Sequence, residues 1–279
     1  MVTGLTEADS KGNSRSLNVG LNYPLLRSCT ANFYLVAQLS DKKLKDQSAG
    51  ITTSDRTVQS MVLGGQGNGR LSERDGIAYS AMLTSGHMNR DAVPNDLSAD
   101  QKAANTQGNY MLLRGMVNWA HQMGANWILA ANYTLQVANK NLDTSEKFYL
   151  GGPRNIRAYS GEEAGGDQGQ ILNLEARWRL PYSSRANESW TLIGFYDWGR
   201  VQRNRFTWAG WNTATPSMPN TYNLQGMGVG ARAQFGNRGS IELLLARKLA
   251  SNPGATAMGL NADGLDKTYR FWLNAALQF

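Results

Sequence analysis

The sequence predicts an all-β protein, an antiparallel transmembrane β-barrel of which about eleven strands are visible. Three observations predict it. Apolar and polar residues alternate with period two in one segment after another. The connections between those segments alternate between short and long. Gly (30 residues), Trp (8) and Tyr (11) are abundant while charged residues are only 18% of the 279, a balance that suits a β-barrel better than a helical enzyme.

The first strand signal is Ser16–Tyr23, with Leu17, Val19, Leu21 and Tyr23 on one face. Ala31–Leu39 follows, setting Phe33, Leu35, Ala37 and Leu39 on one side. Thr57–Gly65 and Gly76–Gly86 are weaker, and Tyr110–Trp119 comes next. Asn126–Val137 alternates most clearly. Trp127, Leu129, Ala131, Tyr133, Leu135 and Val137 share a face, opposite Asn126, Ile128, Ala130, Asn132, Thr134 and Gln136. Then come Gln170–Leu180, Trp190–Arg200, Gln225–Phe235, Ser240–Lys248 and Tyr269–Phe279.

Short connections are expected at Pro24–Ser28, Gln66–Asp75, Gln122–Gly124, Pro181–Glu188 and Gly236–Gly239. Long ones are expected at Ser40–Arg56, His87–Gly108, Ala138–Gly169, Val201–Asn223 and Leu249–Thr268. A soluble sandwich has no reason to alternate in this way. An outer-membrane barrel does, with short turns on the periplasmic side and long loops outside. Polar strand residues such as Glu175, Arg177 and Arg232 then face a wet lumen, and the aliphatic face with its Trp, Tyr and Phe faces lipid. A soluble β-sandwich with one buried face shares the period-two pattern and stands as the alternative fold.

Several function classes are disfavoured. The net charge is +7, but Lys and Arg are scattered and no aromatic nucleic-acid motif accompanies them, so nucleic acid is not an expected partner. Cys29 is the only cysteine, which excludes an internal disulfide and a Cys-based metal site. No window of 18 or more apolar residues occurs, so no membrane helix is expected, and the polar N-terminus lacks a signal-peptide core. His87 and His121 stand alone at strand ends, and no metal is assigned to them. No G-x-S-x-G elbow occurs, so a hydrolase, and enzymatic activity generally, is not expected. No cofactor is expected either.

The longest connection carries the most specific sequence, Phe148 to Gly169, FYLGGPRNIRAYSGEEAGGDQG. It is too rich in Gly for a helix and too long for a tight turn. Gly151-Gly152-Pro153 is not a phosphate cradle, because no Gly-Lys-Ser/Thr and no helix pattern follows. Glu162, Glu163 and Asp167 lack EF-hand spacing and read as solvated loop acids. Long loops between regular strands are common carriers of function.

Leu150, Gly151, Gly152, Ile156, Arg157, Ala158 and Tyr159 match the pattern LGG-x3-(I/V)-R-(A/G)-Y. This resembles the lumen-inserted loop of two-partner secretion transporters, the haemolysin secretion/activation family, related to the barrel assembly factors of outer membranes. Ala158 stands where the family usually has Gly. A second family motif, G-x-x-D-x-G, is matched by Gly194 to Gly199 around Asp197. The terminal FWLNAALQF, ending at Phe279, resembles the outer-membrane sorting signal.

The resemblance implies a sixteen-stranded barrel preceded by two periplasmic POTRA domains. It makes residues 1–279 a C-terminal barrel portion matching strands six to sixteen, with the lumen loop at 138–169. It implies a bacterial outer-membrane protein that exports a large secreted partner, of haemolysin or adhesin type, in unfolded form. Outer-membrane lipid and the barrel assembly machinery are implied partners. It also implies that Arg157 reaches Asp197 across the lumen, with Gly151, Gly152, Ile156, Tyr159 and Gly199 completing the motif. Parity supports an inward Asp197, since it shares a strand face with Ile193 and Phe195, and a carboxylate facing lipid is costly. An ordinary lumen ion pair is the alternative for those two residues. A passive porin or adhesin barrel, or a non-functional remnant of the transporter, is the alternative for the whole chain.

Overall fold

The computed structural model describes residues 10–181 and 188–278. Phe279, the N-terminal residues 1–9 and most of the connection Pro181–Glu188 lie outside the described residues. All eleven segments read from the sequence are strands. They are β1 (Ser10–Arg27), β2 (Ala31–Ser48), β3 (Ile51–Arg70), β4 (Asp75–Asn89), β5 (Gly108–Met123) and β6 (Trp127–Ala138), followed by β9 (Gln168–Arg179), β10 (Glu188–Gln202), β11 (Thr221–Phe235), β12 (Gly239–Lys248) and β13 (Tyr269–Leu277). Between β6 and β9 lie two further strands of two residues each, β7 (Phe148–Tyr149) and β8 (Gly165–Gly166), which pair only with each other.

The eleven long strands form one antiparallel sheet in the order β1-β2-β3-β4-β5-β6-β9-β10-β11-β12-β13. Each strand pairs with the next long strand along the chain, so no crossover occurs. β1 and β13 are the two edges, and the barrel is not closed.

The two faces separate as the alternation requires. Along β12, Ile241, Leu243 and Leu245 are exposed, while Leu244 and Ala246 between them are buried against the concave side. Beside them on β13, Phe271 and Leu273 are also exposed. A continuous belt of exposed aliphatic and aromatic side chains suits hydrocarbon rather than water. Trp127 and Trp178 stack across the β6–β9 pair with ring centroids 6.0 Å apart, near the short-turn end of both strands.

Two of the expected long connections differ from the structure, and β1 and β3 run into the expected short connections Pro24–Ser28 and Gln66–Asp75 as far as Arg27 and Arg70. Ser40–Arg56 is not a loop. β2 and β3 run on to Ser48 and Ile51 and are joined by a two-residue turn in which Ala49 (φ 50°) and Gly50 (φ 79°) are both left-handed. That geometry matches the right-handed twist of a hairpin. The outward face changes along β2 from Leu35, Ala37 and Leu39 to Asp41, Lys43 and Lys45. The apolar stretch therefore ends near Leu39, and the ladder continues beyond it as a projecting arm. Loss of apolar alternation resembles a loop in sequence, yet an arm in water needs no apolar face to keep its backbone bonds. The second difference is α1 (Pro94–Gln101), a short helix inside the connection between β4 and β5. Asp100 fastens its end, accepting from the backbone N–H and hydroxyl of Thr106 and from the N–H of Gln107.

The outward assignment of β12 has a measurable consequence. Leu243→Arg should destabilise the vesicle-inserted barrel by about 2–4 kcal/mol, and less toward the membrane interface. Gln234→Arg, at the concave face, should change stability by under about 1 kcal/mol. Chemical denaturation of both variants in lipid vesicles checks the pair.

Candidate functional site

The connection 139–167 leaves β6, folds back along the concave face of the sheet and returns to β9. It is a folded element rather than a slack loop. The N–H of Leu150 donates to the Glu163 carbonyl, that of Gly152 to Tyr159, and that of Ile156 to Leu150. The Asn155 amide donates to the Tyr149 carbonyl. Leu150, Ile156, Ala158 and Tyr159 are all fully buried, packed in one cluster with Ile171, Val201, Leu224 and Leu244 from the strands.

At its tip Arg157 meets Asp197 of β10. The Arg157 Nε donates to Asp197 Oδ2 (3.0 Å) and its Nη2 to Oδ1 (2.7 Å), a two-pronged contact. The backbone N–H of Arg157 donates to the same Oδ2 at 3.0 Å. Asn173 of β9 gives a further bond to Oδ1 (2.8 Å) and another to the Asn155 carbonyl (2.7 Å). Arg157 also pairs with Glu175 and lies over the Phe195 ring, 3.6 Å from its centroid. Its carbonyl accepts from the Trp272 indole of β13 at 2.7 Å. Asp197 has no solvent exposure and Arg157 has 4%. A carboxylate so far from water needs several charge-assisted donors, and here it has them.

The motif glycines explain how closely the loop lies. A Cβ on Gly199 of β10 would come within 2.8 Å of Ile156 and 3.0 Å of Leu150. One on Gly151 would strike the Ser160 carbonyl at 1.9 Å, and Gly152 holds φ +125°. Gly226, paired with Asp197 across β10–β11, receives Ala158, whose Cβ leaves no room for another. Tyr159 reaches past this contact to the Ala250 carbonyl (3.4 Å), with the Lys248 ammonium 5.1 Å from its ring centre.

A second network holds the other limb of the loop, and no sequence motif announces it. Asp143 caps the 3-10 turn Thr144–Glu146 by accepting from Ser145. It also accepts from Arg56 of the arm (2.7 Å) and from Arg90 (2.6 Å). Glu146 pairs with Lys42 at 2.7 Å, and Arg90 also pairs with Asp96 of α1. Burial alone would push the Asp143 carboxyl up. The Arg56 charge and hydrogen bonds from Ser145 and Arg56 outweigh that and hold it below the ordinary 3.8.

The acidic tail of the loop corrects the reading of solvated acids. Glu162 is exposed, but Glu163 and Asp167 are buried at 2% and 0% exposure. Glu163 accepts from the Asn252 amide and the Ala262 N–H, both at 2.8 Å. Asp167 accepts from the N–H groups of Leu142 and Arg205 and pairs with Lys147. Each acid stitches the loop to another long connection, so local spacing could not show their role. His121 is half-buried, bonds Asp75 at 2.9 Å and stacks on Trp119. His87 bonds Asn109 at 2.7 Å.

Beneath the tip, toward the short turns, the concave face encloses a cavity of about 1280 Å³. Arg154, Asn155 and Arg157 of the tip form part of its wall, and Cys29, Thr30 and Arg70 lie at its turn end. The loop is thus a plug fastened above a vestibule.

Residues 1–233 match the haemolysin secretion/activation protein family described as ShlB/FhaC/HecB. The chain belongs to that family. It is 24% identical over 280 residues to the heme/hemopexin transporter protein HuxB of Haemophilus influenzae strain 86-028NP, covering 97% of this chain and 45% of that protein. A second Haemophilus influenzae HuxB is 26% identical over 284 residues, with the same coverage. The chain therefore spans under half the length of these curated relatives. Its fold is similar to CdiB from Escherichia coli, with a TM-score of 0.74 at 14% identity over 96% of this chain and 46% of that one. CdiB from Acinetobacter baumannii gives 0.65 at 18% identity, covering 96% and 42%. The protein is an outer-membrane β-barrel protein.

Gly199→Val should lift the loop from β10. Arg154 should then become cleavable by trypsin in the folded barrel at a rate at least about fivefold above the parent, since overpacking of this kind costs about 1–3 kcal/mol. The second network should respond to acid. A depressed carboxyl contributes stability above its ordinary value, and that stability is lost as pH falls through the folded one. Protection factors of residues 142–147, taken relative to the intrinsic exchange rate at each pH, should therefore be steady from about pH 8 to 5 and fall below about pH 4, and Asp143→Asn should flatten the fall.

Proposed function

We propose that this chain is the barrel part of an outer-membrane transporter that exports a large partner protein by two-partner secretion. The observation that carries the reading is the Arg157–Asp197 clasp, which anchors a folded loop inside the lumen above a cavity. Membership of the haemolysin secretion/activation family supports the same assignment. The reading makes the protein a conduit and not an enzyme.

The partner enters the vestibule from the periplasm as an extended, unfolded chain. The loop, held by Arg157 and supported by Ile156, Tyr159 and the glycines at 151, 152 and 199, shapes the passage. Nucleotide has no part. Folding of the partner outside withdraws unfolded chain from the pore and gives the movement its direction. Lipid surrounds the apolar belt, and the barrel assembly machinery inserts the strands.

Removing one member of a buried charge pair strands the other, a cost of about 3–5 kcal/mol. In the whole transporter, Arg157→Ala and Asp197→Ala should each lower partner in the medium by at least about tenfold, while heat-modifiable barrel in the outer membrane persists. Unchanged secretion by both variants sinks the role of the clasp.

A further inference from the structure

The lumen face carries a row of amides that the clasp does not explain. Following the sheet from strand to strand, Asn32 pairs with Asn68, Asn118 with Asn132, Asn132 with Asn173, and Asn173 with Asp197. Ala78 bridges Asn68 and Asn118 in the same register and is the one interruption. These residues stand directly opposite one another on six neighbouring strands and the β10 Asp. All of the amides line the cavity below the plug. The row climbs as it goes. Asn32 is the second residue of β2, at the short-turn rim, whereas Asp197 lies well inside β10 under the loop tip.

The row has unused hydrogen-bonding capacity. Asn32 donates to Asn68 (3.2 Å) and Asn132 to Asn173 (3.0 Å). Asn132 Oδ1 is buried with no partner, and no bond is made by the Asn118 side chain among the described residues. The neighbouring carboxylates are spoken for, Glu175 by Arg157 and Arg177 and Glu242 by Arg232, while Arg70 and Arg154 also line the cavity. What the row offers a visitor is uncharged donors and acceptors, the complement of a peptide backbone.

We infer that this amide row is the track along which the exported polypeptide's backbone moves from the rim to the plug. The inference rests on the export reading above. Amides on adjacent strands stand about 4.8 Å apart, while one edge of an extended peptide repeats every ~6.7 Å. The two spacings do not match. A chain on the row satisfies a few amides at any position and never all of them, so each step trades one weak bond for another. Such a surface holds any sequence and traps none. Its last members, Asn173 and Asp197, are occupied by Asn155 and Arg157 of the loop, so an arriving chain competes for the plug's own anchors.

The test is pulse-chase export by the whole transporter with its partner. Asn118→Val with Asn132→Val should slow export by about tenfold, and Asn118→Gln with Asn132→Gln should keep at least about half the parental rate. Asn118→Ala with Asn132→Ala, a residue the row already accepts at Ala78, serves if the Val pair fails to assemble, and should slow export in the same direction. Barrel assembly is followed by heat-modifiable migration throughout. Parental rates in the apolar variant that assembles, or equal slowing by the Gln pair, overturn the track while leaving the export reading intact. A parental transporter that exports nothing overturns both.

Discussion

A carboxylate buried at the wall of a lumen has to be neutralised by something inside that lumen. Asp197 supplies this constraint, and Arg157 answers it with its backbone N–H and two guanidinium nitrogens. Because one of those donors is main chain, the contact fixes the position of the loop backbone as well as the side chain. Asn173 and Trp272 then bind the backbone on either side, at the carbonyls of Asn155 and Arg157. Burial makes the arrangement demanding: strong when complete, costly when any partner is missing.

Shape has to cooperate with charge. The loop lies on β10 because Gly199 presents bare backbone where Ile156 and Leu150 arrive, and Gly226 does the same for Ala158. The family resemblance gives glycine as usual at position 158. In this chain a methyl group occupies that place, and a glycine on the facing strand makes room for it. The remaining limbs are held by ionic stitches to separate long connections: Asp143 to the arm and to Arg90, Asp167 to the segment after β10, Glu163 to the segment after β12. The plug is therefore fastened at several separate points.

The vestibule and the plug share residues. Asn173 ends the amide row and also supports Asp197. On the proposed track, an arriving chain and the loop therefore compete for the same hydrogen bonds, with no requirement for a distant conformational relay.

Strand positions and their inward and outward faces were legible from sequence, because period two is a local property that water and lipid impose on each strand separately. The inward parity of Asp197 was read in the same way from Ile193 and Phe195. The arm resembles a loop in sequence because its outward face leaves the apolar layer and loses the alternation. The burial of Glu163 and Asp167 was missed because their partners lie on other connections, and the bond from Trp272 to Arg157 spans 115 positions. The sequence alone determined the strands, their faces and the residues of the clasp motif. The tertiary structure decided the register that sets five asparagines in line, the second ionic network and the stitches of the acidic tail. Those depend on which residues of distant strands stand opposite one another, and pairing across a sheet leaves no periodic mark in either strand.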